Sequence, residues 1–130
     1  MASWDQVRRI ALGLPETSER DRHGHLAWSV RDKVFAWERP LRKSDLEALG
    51  ARAPKGAILA VRVEHLLVKE ARLAARPDVC FTTPHFDGYP AILLRLGKAK
   101  VSDLRELLTE AWLAQVPKAL ARRYREENPT

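Results

Sequence analysis

The sequence predicts an α+β fold: a two-layer sandwich of about five antiparallel strands with helices packed on one face. Three observations lead there. Leu26-Ala-Trp-Ser-Val30 and Val34-Phe-Ala-Trp-Glu-Arg39 both alternate, and the short polar stretch Arg31-Asp32-Lys33 between them is the length of a hairpin loop. Amphipathic helical stretches stand at the start, middle and end of the chain, so strands and helices do not alternate strictly as they do in parallel α/β proteins. The strands each offer one apolar face, which calls for helices on one side only.

Taken in order, Ser3 caps a first helix, and Gln6 completes a capping box. Trp4, Val7, Ile10, Ala11 and Leu14 follow at helical spacing, and Pro15 stops the run. Glu16 to His25 are polar and aperiodic and read as a loop. The hairpin follows, with Leu26, Trp28 and Val30 on one side of its first strand and Phe35 and Trp37 on one side of its second. Pro40 closes it, and Ser44-Asp45-Leu46-Glu47 opens a short helix that Gly50 ends. Ile58 to Val63 is a third strand. Glu64 to Ala75 is a helix whose stripe includes Leu66, Leu67, Ala71, Leu73 and Ala74, and Pro77 ends it. Val79 to Thr83 and Ala91 to Leu96 are strands joined by a segment too rich in Pro and Gly to belong to either. Ser102 caps a long helix that turns Leu104, Leu107, Leu108, Ala111 and Trp112 inward, and Pro117 opens a last one. The order is α, three strands with a helical insert, α, two strands, α, all in one domain spanning 1–130.

At 130 residues, with 45% apolar and 31% charged side chains, the chain has an ordinary globular composition and is long enough to bury a core. No apolar run reaches the ~18 residues of a membrane span, and a lone Cys80 excludes an intrachain disulfide, so a reducing, cytoplasmic compartment is expected. The chain is expected to be a monomer. The formal charge is +6, an excess that suits polyanionic partners. It is unevenly placed. Residues 1–25 and 101–130 are balanced, whereas residues 26–63 hold eight basic against four acidic side chains and residues 64–100 six against four. The surplus coincides with the strands.

Several stretches resemble the MmcQ/YjbR family. They are Val30 to Trp37, Trp37-Glu-Arg-Pro-Leu-Arg-Lys-Ser-Asp-Leu46, Leu108-Thr-Glu-Ala-Trp112 with Ala119 to Tyr124, and above all Phe81-Thr-Thr-Pro-His-Phe-Asp-Gly-Tyr-Pro-Ala91. The resemblance covers nearly the whole chain. It implies a two-layer sandwich of the secretion-chaperone-like, frataxin-like kind and a "double wing" DNA-binding role. One departure bears on that role: Asp32 holds the hairpin-tip position that is often Gly in relatives. Asp tolerates the turn, but its carboxylate partly neutralises a wing tip between Arg31 and Lys33.

Catalysis, a metal and a cofactor are not expected. Structural zinc needs about four Cys or His ligands at recognisable intervals, which His23-Gly24-His25, His85 and Cys80 do not supply. Cys80 lies inside a strand between Val79 and Phe81, the setting of a buried thiol and not of a nucleophile. The 82–90 segment carries the sharpest local signal. His85, Phe86, Asp87 and Tyr89 offer hydrogen-bonding groups and stacking surfaces, although Asp87-Gly88 and the flanking prolines are also ordinary turn devices. The leading functional expectation is DNA-backbone contact through Arg31, Lys33, Arg39, Arg42, Lys43, Arg62, Arg95, Lys98 and Lys100. Alternation puts Arg62 and Arg95 on the sheet's solvent side. Trp28 and Trp37 read as core. The competing expectations are a protein-interaction or chaperone-like module, and a small-molecule site in a cleft between helices and sheet.

Overall fold

The computed structural model describes residues 2–129. After α1 (Trp4–Leu12) come three strands, β1 (Thr17–Arg22), β2 (His25–Val30) and β3 (Lys33–Glu38). The short α2 (Lys43–Leu49), β4 (Ile58–Arg62) and α3 (Leu66–Ala75) follow. The chain then forms β5 (Cys80–Phe81), β6 (Ala91–Arg95), α4 (Val101–Gln115) and α5 (Lys118–Glu127). The strands build one antiparallel sheet in the order β1-β2-β3-β4-β6-β5. The α+β class stands, with six strands where about five were expected.

The additional strand is β1, in the stretch read as a loop. Its sequence Thr-Ser-Glu-Arg-Asp-Arg has no apolar alternation because it is a largely exposed sheet edge, where Glu19 and Arg20 enter ion pairs with Arg8 and Asp32. His23 (φ 54°) and Gly24 (φ 84°) turn it into β2. Arg31 (φ 47°) and Asp32 (φ 66°) make the next turn, which is therefore two residues long, with Lys33 already paired to Val30. Two successive positive φ values match the right-handed twist of a tight hairpin.

The main core lies between the sheet and the longer helices. Trp28, Val30, Leu59, Val61, Ile92 and Leu94 meet Leu104, Leu108 and Trp112 of α4 and Val7 of α1, all fully buried. Tyr124 of α5 packs on Trp112 at 4.9 Å between ring centroids, and Trp112 Nε1 donates to the Pro15 carbonyl at 3.0 Å. The other face is not bare. Ile58, Ala60, Phe81, Phe86, Ala91 and Leu93 form a second cluster against Trp37, Leu41 and Leu49, roofed by α2 and the 82–90 segment. Hence β4 and β6 are apolar on both faces, correcting the expectation of a single apolar face per strand.

A β-bulge explains why Trp37 departs from its expected place in the main core. Trp28 pairs with Ala36 but Ser29 pairs with Val34, so Phe35 is the extra residue. Phe35 and Ala36 both turn toward the helical layer, and Trp37 emerges on the opposite face beside Ala27. Two helix starts and one helix face also differ in detail. Asp45, not Ser44, anchors α2 by accepting the Arg42 N–H at 2.8 Å. Asp103 likewise accepts the Lys100 N–H at 2.8 Å, which starts α4 before Ser102. In α3, Leu66 and Leu67 of the expected apolar stripe are exposed, and Lys69 is the buried residue.

Candidate functional site

The second face of the sheet carries a groove of about 1060 Å³. Its floor comes from β2 and β3 through His25, Ala27, Val34 and Trp37. One wall is Arg39-Pro40-Leu41-Arg42, and the other is the segment from His85 to Tyr89. Arg22, at the end of β1, and Arg62, at the end of β4, also line it, as do Leu26, Glu38 and Gln115. The bulge at Phe35 places Trp37 here, and antiparallel pairing of β4 with β6 places Arg62 beside the 82–90 segment.

The His85–Tyr89 wall is held firmly. Pro84 opens a single 3-10 turn, and Gly88 takes a φ of 74°. Lys69 reaches across from α3, where its ammonium donates to the carbonyls of Phe86 at 2.6 Å and Tyr89 at 2.9 Å. Burial lowers its pKa, opposed only by Asp87. The wall carries a row of rings: Phe86 lies 6.4 Å from Trp37, 6.2 Å from Tyr89 and 5.0 Å edge-on from His85. Phe86 is buried, Trp37 half-buried and Tyr89 exposed.

The arginines of the groove have different standing. Arg39 is 5% exposed and sits 3.0 Å from Asp45, itself 2% exposed, with its guanidinium over the Phe86 ring. Burial pushes the Asp45 carboxyl up, but the Arg42 N–H, the Arg39 guanidinium and the neighbouring Thr83 hydroxyl outweigh it and hold the pKa below its ordinary value. The charge of Arg39 is thus matched internally. Arg62 lies over the Tyr89 ring at 4.8 Å and donates to its hydroxyl, and its Nε is buried without a partner. Arg22 and Arg42 are exposed and enter no ion pair among the described residues. Against these cations stand Glu38, which accepts the Leu26 N–H at 2.9 Å, and the exposed Asp87.

The structure therefore joins two sets of expected site residues: His85, Phe86, Asp87 and Tyr89 share one groove with Arg39, Arg42 and Arg62. The other six cations lie outside it. Arg31 is held by Glu16 through two contacts of 2.9 and 3.1 Å, and Asp32 pairs with Arg20 at 3.2 Å, so the hairpin tip is largely neutralised. Lys33 and Lys43 are exposed at the starts of β3 and α2, and Lys98 and Lys100 beyond the end of β6. Arg95 faces the same side as Arg62 but covers Phe81 at 4.5 Å and donates to the Pro77 carbonyl. Reading the sequence missed Arg22, whose strand was not seen, and the groove role of Trp37. The His23-Gly24 turn was the available signal for the first.

Cys80 faces the main core, 3% exposed, and burial pushes its thiol up to about 11, so it is protonated at neutral pH. Among the described residues no three His, Cys, Asp or Glu side chains converge as a metal site requires, and no helix is long and apolar enough to cross a membrane.

A family model described as YjbR matches residues 12–114. An uncharacterised protein of Mycobacterium tuberculosis (strain H37Rv) is 55% identical over 127 residues, covering 95% of this chain and 96% of the relative, and one of Mycobacterium bovis matches equally. Among solved structures, the Deinococcus radiodurans protein DR2400, with a DUF419 domain, superposes with a TM-score of 0.67 at 19% identity. That match covers 98% of this chain and 88% of the other, a likeness of fold alone.

Proposed function

The chain belongs to the YjbR family, and from that premise we propose that it is a binding protein whose groove engages the phosphate backbone of nucleic acid. The observation that carries this reading is the pairing of free cations with stacking surfaces. Arg22 and Arg42 flank a concave surface that also presents Arg62, Trp37 and Tyr89. Exposed, unpaired arginines are the groups that can exchange water for phosphate oxygens without first breaking an ion pair. The hairpin tip, by contrast, would have to give up Arg31–Glu16 and tolerate Asp32. The groove, and not the tip, is the contact surface in this account. Acting on nucleic acid as a cytoplasmic monomer agrees with the overall charge of +6 and with the buried, unreactive Cys80.

Fluorescence anisotropy with a labelled oligonucleotide tests the proposal. Binding is expected to be micromolar at ~50 mM salt and to weaken steeply as salt rises, by about 0.9 in log–log slope per neutralised phosphate on duplex DNA. Arg22→Ala with Arg42→Ala lowers the slope by up to about two, whereas Arg31→Ala with Lys33→Ala lowers it by less. Equal effects from both pairs would move the contact surface away from the groove. Absence of binding would leave the protein-interaction reading ahead, which has one specific support: Leu66 and Leu67, adjacent on α3, are 46% and 72% exposed.

A further inference from the structure

We infer that the groove selects unpaired nucleotides, stacking their bases on Trp37 and Tyr89. This rests on the nucleic-acid reading above and adds to it the form of the ligand. The cations alone would not choose between strands, because phosphates are present in both. The aromatic row does choose. In a duplex the base faces are covered by their neighbours. A single strand can turn its bases inward onto ring faces, which every base can do regardless of sequence.

The row is built to be rigid before any ligand arrives. Phe86 is buried between the Trp37 and Tyr89 rings, with centroids 6.4 and 6.2 Å away, and serves as the fixed middle of the platform. Its own carbonyl and that of Tyr89 are tied to the buried ammonium of Lys69, so the wall is anchored to α3. Such pre-ordering reduces the entropy lost on binding. Arg62 stands over one face of Tyr89, leaving the exposed remainder of the ring to the groove, and its buried Nε lacks a partner within the protein. The volume of about 1060 Å³ is comparable with the largest small-ligand pockets, which suits a short run of nucleotides. The few free cations, Arg22 and Arg42, leave stacking to supply much of the affinity.

The test compares three probes at one salt concentration: a labelled oligothymidylate, an abasic strand of equal length, and a duplex. The wild-type protein is expected to bind the thymidylate at least about tenfold more tightly than the other two. Tyr89→Leu should weaken thymidylate binding by about 5- to 150-fold, the range that one base–aromatic stack commands, and weaken abasic binding by far less. Tyr89→Phe, which keeps the ring, should stay within about twofold of wild type. Tyr89 is exposed, so these variants do not endanger the fold. Equal affinity for all three probes would refute base stacking while leaving the phosphate reading intact. Tyr89→Phe failing as badly as Tyr89→Leu would refute it too, because the hydroxyl and not the ring would then be the contact. No binding to any probe at ~50 mM salt would overturn both readings.

Discussion

Replacing Asp45 by Asn isolates the buried ion pair behind the groove wall. Asn keeps the shape of the side chain and can still accept the Arg42 N–H that starts α2, so what disappears is the charge opposite Arg39. Arg39 and Asp45 are 5% and 2% exposed, and a guanidinium left at that depth without its counter-charge costs about 3–5 kcal/mol. For a domain of this size that lowers Tm by roughly 10–20 °C. Urea unfolding followed by tryptophan fluorescence and circular dichroism reads it directly, with an unchanged m-value. The combined change Arg39→Met with Asp45→Leu should cost less than Asp45→Asn alone, because no charge is left stranded. The pair also carries a pH signature. Folding lowers the Asp45 pKa, so its contribution is fully present above the unfolded value of about 3.9 and is lost as pH falls through the lower folded value. Below pH ~4 the wild-type and Asp45→Asn stabilities should therefore converge. A loss below ~1 kcal/mol on Asp45→Asn at neutral pH would refute this account of the wall.

Lys69→Met should destabilise by about 1–3 kcal/mol in the same unfolding assay, because two carbonyls lose a charged donor while the stem's packing is kept. Gly88→Ala should cost about 1 kcal/mol; open space surrounds its added methyl, so the loss comes from the φ of 74° alone. His85→Ala, at an exposed position, should stay within about ±0.5 kcal/mol by the same measurement.

The parts of the fold that announced themselves were those with a repeating apolar pattern. The Ser3–Gln6 capping box, the β2–β3 hairpin and the inward stripe of α4 are all where periodicity put them. What was not legible breaks that pattern for local reasons. As an edge, β1 has no apolar face to display. The bulge at Phe35 inverts the alternation on which the placement of Trp37 depended. No sequence pattern singles out Lys69, because the carbonyls it serves are 17 and 20 positions away and only the fold brings them to it. The site was half legible for the same reason. Its residue types were visible in the 82–90 segment and among the arginines, but three of nine cations share the groove, and which three depends on strand order.

The most direct test of the groove as the nucleic-acid site is a heteronuclear NMR titration of the isotope-labelled protein with a short single strand at low salt. The account predicts that shifts cluster on the Trp37 indole, the backbone of residues 85–89, and Arg22 and Arg42, with the Arg31–Lys33 turn nearly silent. Shifts confined to that turn, or to the exposed lysines at 98 and 100, would contradict it.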